Sequence, residues 1–416
     1  MSVPVLLLQN GVFPGSPCHP RTGVSLKVLD SYQAYFERSG DAVTALAAAL
    51  CTVYRRRGFP ADDPFRSALT QAIQWSSLLR LRLKRRLDSF LQDAAAVASA
   101  TAEVLTADAS APSPFVADSS ASDHIASSIP NQPSQEKLKS PAPQRAARTL
   151  RERCPACFGL TTWGRPLGGD IQMGADGNWS LRHLRSAGDG PELPFSPAYF
   201  VSKAEVDSVR QQILTARSRK PHRNTSSVSL QVIEACQESF QAAKEKKEKA
   251  DPDHYDSTGV FVMTCRHSQV IFLANIDTPG EQQCYIIALL DKVASFLPRN
   301  ATIVQAYDVG CVVDHSCHLY PLLPPSLHQR VAFVINIMHS FVHEWDCQLV
   351  YSPRFFTGMG LSDMEGVERF WSQMRKLIGM TQTQWVRELL HCGDIPFIHS
   401  TELMAPMDSG WTHRVH

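Results

Sequence analysis

The stretch GVFVMTCRHSQVIFLANID, residues 259–277, decides the fold class of this chain. Two apolar runs rich in β-branched and aromatic residues flank a short polar turn, which predicts a hairpin of two buried strands. CYIIALLDKVASFLP at 284–298 then predicts a helix, and ATIVQAYDVGC at 301–311 predicts another strand. Strands that alternate with helices in this way indicate an α/β fold with mixed strand directions.

The same kind of pattern continues towards the C-terminus. QRVAFVINIMHSFVHEWDC at 329–347 predicts a helix, and LVYSPRFFTG at 349–358 predicts an extended segment. DMEGVERFWSQMRKLIGM at 363–380 predicts a final helix. The predicted order from residue 259 is therefore β-β-α-β-α-α, with neither a P-loop nor a glycine-rich dinucleotide motif.

On the N-terminal side, IQMGADGNWSLRHL at 171–184 predicts a strand, a turn and a second short strand. We expect residues 149–380 to form one core. Residues from about 186 to 256 look like an insertion into that core, with a helix at 203–217.

Composition divides the rest of the chain. Residues 1–105 are predicted to be mainly helical, beginning with DAVTALAAALCTVYRRRG at 41–58, which ends on a glycine. Residues 106–148 are dominated by Ala, Ser and Pro, which predicts a disordered linker, since little apolar surface is available for burial. The C-terminal tail, residues 381–416, matches no recognised pattern.

Charge and cysteine content restrict the setting of the protein. The formal net charge is +1, so a nucleic-acid partner would have to be bound by a local basic patch. RLRLKRR at 80–86 is one such run, and it is either a solvated helix face or a phosphate contact. The sequence shows no signal peptide, and no segment approaches the roughly 18 apolar residues of a membrane span. Eleven cysteines then predict thiols or metal ligands in a reducing compartment, the cytosol or nucleus.

Acidic residues stand at the positions that a metal-dependent nucleotidyl transferase would use. Asp176 ends or follows the first core strand, Asp308 ends the strand at 301–308, and Glu365 and Glu368 lie on the last helix. Two-metal phosphoryl transfer needs carboxylates from separate elements around ions about 3.5–4 Å apart, and Mg²⁺ prefers such oxygen ligands. A carboxylate at a strand end is more often a cap or a solvated turn. The residues by themselves therefore leave both interpretations open.

The order of several short motifs resembles that of the Kyakuja-Dileera-Zisupton transposases, which are known mostly from fungi. The resemblance covers about residues 8–60 and 150–376. Its motifs are GVFPGSPCHPRTGVSLKVLDSY (11–32), CPAC (154–157), ADGNWSL (175–181), CRH (265–267), GEQQCY (280–285), YDVGC (307–311), MHSFVHEWDC (338–347) and GMGLSDMEGVERFWS (358–372). The resemblance implies a ribonuclease-H-like catalytic core and transposition of DNA in the nucleus.

The resemblance also implies an Asp, Asp, Glu triad that uses Mg²⁺ or Mn²⁺. The first two acids would be Asp176 in DGN and Asp308 in YDVGC. The third stays open between Glu365 and Glu368, which are neighbours on one helix face. We favour Glu368, because ERFWS is similar to the ERxFS segment that carries the catalytic Glu of hAT transposases. Glu365 fills the family's DGE position, in which this chain has Met364 instead of Gly.

Transposon ends and target DNA are the partners that the resemblance implies. No membrane partner is expected, and the oligomeric state stays open, with a homo-oligomer as one alternative. Full-length relatives continue into a helical region after ERFWS, whereas only residues 373–416 follow here. We therefore expect a C-terminally shortened chain with weak or no activity. The alternatives are a transposase, or a domesticated or decayed derivative, and a catalytically inactive DNA- or chromatin-binding protein on the same scaffold.

Histidine and cysteine residues suggest zinc in addition. His339, His343 and Cys347 recur every four residues in the predicted helix at 329–347, so they would line one helical face. Together with Cys311 or His315 they would form a zinc site. The alternative is core packing of a histidine-rich amphipathic helix.

A second group of such residues lies elsewhere. Cys154 and Cys157 form a CxxC motif with no second pair nearby, for which zinc is favoured over redox chemistry because no thioredoxin-like βαβ unit surrounds it. Cys265 and His267 in CRH either supply a fourth zinc ligand or line the active site. HE at 343–344 is not the HExxH motif, which argues against a zinc hydrolase.

Overall fold

The computed structural model describes residues 2–16, 19–36, 42–59, 65–108, 145–166, 169–187, 199–245, 254–278, 282–375 and 378. Most of the predicted linker at 106–148 and the whole tail at 381–416 lie outside these residues. The residues described within Met1–Ser77 and Pro143–His416 form one compact unit, and those within Leu78–Ala142 form another. The domain boundaries drawn from composition stay predictions.

The N-terminal elements are mostly helices. They are α1 (Val3–Gln9), β1 (Val12–Pro14), β2 (Gly23–Ser25), α2 (Leu26–Phe36), α3 (Ala42–Arg56) and α4 (Phe65–Asp108). Of the apolar residues along α4, Leu69 and Ile73 are buried, whereas Leu83, Leu87 and Leu91 are exposed. Among these residues, the apolar side chains of α4 are therefore buried only in its first part.

The remaining elements alternate between strands and helices. They are α5 (Arg148–Arg153), α6 (Pro155–Phe158), β3 (Ile171–Asn178), β4 (His183–Leu184), a 3₁₀ turn (Arg185–Ala187), α7 (Lys203–Arg217), α8 (Leu230–Glu245), β5 (Tyr255–Ser257), β6 (Gly259–Cys265), β7 (Val270–Ile276), α9 (Gln283–Ser295), β8 (Ile303–Tyr307), α10 (Gly310–Leu319), α11 (Pro325–His328), β9 (Val331–Val334), α12 (Ile337–Ser340), α13 (Trp345–Tyr351) and α14 (Gly366–Met374).

A mixed five-stranded sheet forms the centre of the first unit. Its strand order is β7-β6-β3-β8-β9. Of its strands, the three that come first along the chain, β3, β6 and β7, are antiparallel neighbours. Strands β8 and β9 continue the sheet parallel to β3. The α/β fold class and the hairpin at 259–277 are thereby confirmed. The predicted helix at 203–217 is confirmed too, and a capping box between Ser202 and Glu205 begins it.

Alternation along β6 separates two layers of core. Phe261 and Met263 pack towards helix α9 in the larger core cluster. Val260 and Val262 lie in a second cluster with Val367 of α14 and with buried residues of the N-terminal helices. The sheet is therefore covered by helices on both faces, with α14 on the face opposite α9.

The predicted helix at 329–347 was wrong. Its first part is the buried strand β9, and two short helices, α12 and α13, follow it. Apolar runs as short as VAFV do not distinguish a buried strand from a helix by periodicity. His339, His343 and Cys347 therefore do not share one helical face, because they lie on α12, in the loop after it and on α13.

Candidate active site and metal centres

Asp176 and Asp308 lie at equivalent positions on neighbouring parallel strands. The parallel pairing of β3 with β8 ends at Ala175 opposite Tyr307, and each aspartate is the next residue of its chain segment. Successive side chains of a strand point to opposite faces of the sheet. Both carboxylates therefore lie on the face opposite the side chains of Ala175 and Tyr307. Asp308 is buried, and Asp176 is half-buried.

Helix α14 reaches this part of the sheet because two glycines allow close approach. A Cβ atom on Gly174 of β3 would lie 2.9 Å from the main-chain oxygen of Met364. A Cβ atom on Gly366 would lie 2.8 Å from Thr264 Oγ1 of β6. Larger residues at either position would push the N-terminus of α14 away from the strands.

Met364 adopts a left-handed backbone conformation with φ of 62°, which a glycine takes without strain. The Gly-to-Met difference from the family's DGE pattern therefore falls on a residue for which the backbone favours Gly. The Met364 side chain is nevertheless buried, and it packs with Met359 and Ala306. Its burial offsets the strain.

Trp371 connects α14 to Asp176. Its indole Nε1 donates a hydrogen bond to Asp176 Oδ2 at 3.0 Å. Glu368 lies three residues before Trp371, so the two side chains are neighbours on one face of the helix. Glu368 therefore shares a helix face with the residue that contacts Asp176.

Glu365 and Asp308 are linked through α12. The main-chain N–H of Met338 donates to Glu365 Oε1 at 2.8 Å. The next residue, His339, places Nδ1 at 3.3 Å from Asp308 Oδ1. His339, which was predicted to be a zinc ligand, therefore contacts the carboxylate of Asp308. We call Asp176, Asp308, Glu365 and Glu368 together the acid site.

The environment of Glu365 disfavours a negative charge. Burial raises the pKa of its carboxyl group, against the hydrogen bond from Met338 and the nearby His339, which lower it. The charges of Glu368 and Asp363 raise it further. Among the described residues, Glu365 Oε2 is a buried oxygen without a hydrogen-bond partner. A buried carboxylate oxygen without a hydrogen-bond partner, close to other carboxyl groups, is a potential ligand for a cation that prefers oxygen ligands, such as Mg²⁺.

Four cysteine and histidine side chains converge at the start of the core in the Cys154 cluster, which consists of Cys154, Cys157, Cys265 and His267. Their ligand atoms all lie within 4.8 Å of one another. His267 Nδ1 lies 3.5 Å from Cys154 Sγ and 3.2 Å from Cys157 Sγ. The CxxC motif on α6 is therefore completed by the CRH segment at the β6–β7 turn.

Neighbouring contacts hold the Cys154 cluster against the sheet. Arg153 is buried, donates to the main-chain oxygen of Ile271 on β7, and places its guanidinium 4.2 Å from the ring centroids of Tyr199 and Phe272. Burial lowers the pKa of Arg153 to about 10, which leaves it charged at neutral pH.

The turn that carries His267 of this cluster also contacts helix α14. Ser268 directly follows His267, and Arg369 Nε of α14 donates to Ser268 Oγ at 2.9 Å. Arg369 in turn pairs with both carboxylate oxygens of Asp363, at 2.9 and 3.1 Å. The turn that carries a cluster residue therefore also anchors the first turn of α14.

The Cys311 cluster consists of Cys236, Cys311, His343 and Cys347, all of them buried and again with ligand atoms within 4.8 Å of one another. Cys236 Sγ lies 3.6 Å from Cys347 Sγ, and Cys311 Sγ lies 3.6 Å from His343 Nδ1. Zn–S bonds of about 2.3 Å place the sulfurs of a tetrahedral site about 3.8 Å apart. The spacing therefore fits a tetrahedral metal site.

Electrostatics in the Cys311 cluster also favour a cation. The hydrogen bond from Cys311 lowers the pKa of Cys236 to about 5, and it lowers the pKa of Cys347 as well. Hydrogen bonds with the same two thiols raise the pKa of Cys311, and burial and the charges of Cys347 and Cys236 raise it further. A divalent ion between the sulfurs would compensate all three thiolates. A disulfide would use only two sulfurs and would leave the imidazole and the third thiol without a role.

Several predicted residues meet in different combinations from those expected. Cys311, His343 and Cys347 do lie together, but Cys236 of α8 takes the place predicted for His339, and Cys311, not His315, is the ligand from α10. Cys236 had no sequence signal, because it is 75 residues before Cys311 in the predicted insertion.

Two further expectations concern DNA and membranes. Within the basic run on α4, Arg82 and Arg86 are exposed, which agrees equally with a solvated face and with phosphate contacts.

No helix among the described residues has the length and apolar content that crossing a membrane requires.

Comparison with known proteins identifies one family. The sequence model of the Kyakuja-Dileera-Zisupton transposases matches residues 170–388, more than half of the chain. The matched region begins just before β3 and includes Asp176, Asp308, Glu365 and Glu368. No significant match was found among the curated proteins or among the solved structures.

Proposed function

Since the chain belongs to the Kyakuja-Dileera-Zisupton transposase family and is therefore transposase-derived, we propose that it is a DNA transposase, or a domesticated derivative of one. The proposed reactions are strand cleavage by water and strand transfer by a 3′-hydroxyl, both in-line phosphoryl transfers. One observation carries the proposal. Asp176 and Asp308 occupy equivalent positions at the ends of the pairing between two parallel strands. Helix α14, which begins directly after Glu365 and carries Glu368, contacts Asp176 through Trp371.

We further assign the mixed sheet to a ribonuclease-H-like core. A three-stranded antiparallel meander, continued by two parallel strands through helical connections, supports this assignment. Asp176 and Asp308 then lie directly after the last paired residues of the parallel strands β3 and β8. Residues from separate elements meet there, as two-metal chemistry requires.

Asp176, Asp308 and Glu368 are the residues that would hold Mg²⁺ or Mn²⁺, with Glu365 as a further candidate ligand. Such ions, when bound, activate the attacking oxygen and stabilise the leaving oxygen. Trp371 orients Asp176 through its indole N–H, and His339 contacts Asp308. The buried Oε2 of Glu365 fits a site that carries positive charge.

Zinc is the metal that we assign to the two cysteine–histidine clusters. Three thiols and one imidazole in close contact form a Cys₃His donor set, which is typical of structural zinc. All four positions are filled by protein ligands in each cluster, so a catalytic role for this zinc is disfavoured. Such sites hold distant chain segments together.

DNA is the proposed partner, and the nucleus is the proposed place of action. Binding through Arg and Lys to phosphates would weaken as salt rises, because counterions compete. Self-association also stays a proposal, and the exposed residues Leu83, Leu87 and Leu91 on the distal part of α4 are compatible with it.

A nicking assay tests the function directly. DNA that carries the element's terminal repeats is incubated with Mn²⁺ and either the unmodified chain, Asp308→Asn or the control Asp291→Asn, which changes an exposed acid on α9. We expect nicking, even at a low rate, that Asp308→Asn reduces by several orders of magnitude and that Asp291→Asn leaves unchanged. DNA binding should persist in both variants, because phosphate contacts do not depend on Asp308.

Two outcomes would change the conclusion. Nicking that survives Asp308→Asn would remove Asp308 from the mechanism. Salt-dependent DNA binding with no Mn²⁺-dependent nicking by the unmodified chain would favour the inactive DNA- or chromatin-binding protein.

A further inference from the structure

His343 connects the Cys311 cluster to the acid site. Its Nδ1 faces Cys311 Sγ at 3.6 Å, and its Nε2 lies 2.8 Å from the main-chain oxygen of Asp308. The two ring nitrogens thus face different sites. An imidazole that binds a metal through Nδ1 carries its proton on Nε2, where it donates to a carbonyl oxygen. Metal in the cluster would therefore fix the ring in the form that donates to Asp308.

A second connection reaches Asp308 from its other side. Cys311 is three residues after Asp308, in the first turn of α10, and it is fully buried. Gly310 lies between them, and a Cβ atom there would be 2.5 Å from the main-chain oxygen of Val334 on β9. The short segment from Asp308 to Cys311 is therefore held between the sheet and the cluster.

Ligands of the Cys311 cluster come from three separate parts of the chain. Cys236 lies on α8, Cys311 on α10, and His343 and Cys347 lie after β9. Among the described residues, the contact of His343 with the Asp308 carbonyl links these parts directly to the residue that carries an acid-site carboxylate. Loss of the metal would release this contact together with the packing of three segments.

We propose that zinc in the Cys311 cluster positions Asp308 through His343, so that binding of Mg²⁺ or Mn²⁺ at the acid site depends on an occupied zinc site. His343 and Cys311 are then positioning residues, since neither reaches the acid-site metal itself. This inference rests on the proposed function, because it assumes that Asp308 holds a divalent ion.

The informative substitution is His343→Cys. A fourth thiolate makes a Cys₄ site, which holds zinc well, but it has no ring N–H for the Asp308 carbonyl. The variant therefore separates zinc binding from the hydrogen bond. Zinc content is measured by elemental analysis, and Co²⁺ substitution reports a Cys₄ site through its thiolate charge-transfer absorption. Mn²⁺ affinity at the acid site is measured by the loss of the paramagnetic resonance signal of free Mn²⁺.

We expect His343→Cys to hold as much zinc as the unmodified protein and to bind Mn²⁺ about 10–100-fold more weakly, the usual effect of losing a supporting hydrogen bond at a metal site. Asp308→Asn gives the reference value for Mn²⁺ affinity when the acid site has lost this carboxylate. Cys317→Ala, which changes a buried cysteine outside both clusters, should bind both metals as the unmodified protein does.

A second variant tests the inference if His343→Cys does not fold. Cys236→Ser removes a zinc ligand that is on α8, so it should lower zinc content and Mn²⁺ affinity together. Mn²⁺ affinity equal to that of the unmodified protein, in folded His343→Cys or in folded, zinc-depleted Cys236→Ser, overturns the inference alone. Failure of the unmodified protein to bind Mn²⁺ in an Asp308-dependent way overturns the inference together with the proposed function.

Discussion

The indole Nε1 of Trp371 donates to Asp176 Oδ2 across 3.0 Å, so a helix near the end of the matched region contacts the carboxylate of the central strand. The two residues are 195 positions apart in sequence. Trp371 is buried on α14, and its ring packs against that of Phe370, with 5.1 Å between the ring centroids. The position of the helix and the orientation of the carboxylate are therefore coupled.

Trp371→Phe tests this coupling. The substitution keeps an aromatic side chain in the core but removes the donor, so Asp176 loses an orienting hydrogen bond. The free energy of unfolding should fall by about 1–3 kcal/mol, the range for a hydrogen bond to a charged group plus the lost volume. Mn²⁺ affinity should fall as well.

Phe370→Leu is the matched control for Trp371→Phe, since it alters the neighbouring buried ring and keeps the donor of the hydrogen bond to Asp176. It should reduce stability and leave Mn²⁺ affinity unchanged. Equal Mn²⁺ affinity in both variants would show that the Trp371 hydrogen bond does not contribute to the acid site.

Glu365→Gln should raise thermal stability in metal-free buffer at neutral pH. Burial, together with Glu368 and Asp363, gives Glu365 a pKa above its usual value. A carboxyl group of this kind destabilises the fold once it is ionised, so its cost appears as pH rises through the folded-state pKa. The gain from Gln should therefore be largest at neutral pH and vanish at acid pH, where the carboxyl is already neutral.

Added Mn²⁺ should abolish the gain from Glu365→Gln, because the ion compensates the charge that the substitution removes. Glu368→Gln, at a half-buried position, is the comparison and should change the melting temperature less. Calorimetry across pH measures both effects. A gain that is independent of pH would mean that the charge of Glu365 is not its cause.

Met364→Gly should be at least as stable as Met364→Ala, the reverse of the usual order. Removing the buried side chain costs about 2–5 kcal/mol in either variant. Gly additionally relieves the left-handed conformation at φ 62°, which costs an L-residue about 1–2 kcal/mol. Chemical denaturation of the two variants measures the difference, and a clearly less stable glycine variant would contradict the strain at this position.

Cys157→Ala should remove one of two zinc ions. The Cys154 cluster and the Cys311 cluster have separate ligands, so the variant should keep about one equivalent of zinc where the unmodified protein has about two. The melting temperature should fall, because the bound metal stabilises only the folded state.

Cys317→Ala serves again as the control for this variant, with both zinc ions retained. Because the Cys154 cluster adjoins the turn that contacts Arg369, hydrogen exchange at the start of α14 should also increase in Cys157→Ala. Unchanged zinc content in Cys157→Ala would reassign the cluster to ordinary core packing.

Local patterns were sufficient for part of the fold. The apolar runs at 259–277 specify the β6–β7 hairpin, because burial on both faces of a strand leaves no polar positions. The Ser202 and Glu205 pair specifies the start of α7 through capping groups that lie within one turn. The motif order likewise sufficed for the family, which the match at residues 170–388 confirmed.

The acids could be nominated from the sequence but not brought together by it. Asp176 and Asp308 become neighbours only because β3 pairs with β8, and α14 reaches them only through close approach at Gly174 and Gly366. Strand order and helix seating are decided by the packing of the whole core. Spacing along the chain contains no information about either.

The sequence by itself determined the α/β class, the family and the residue types available for metal binding. Only the tertiary structure decided that VAFV is strand β9, that His339 turns to Asp308, and that Cys236 joins Cys347 from 111 residues away. Periodicity and motif spacing report contacts within a few residues of the chain. A metal site collects ligands across the fold, so its membership is set by which segments pack together.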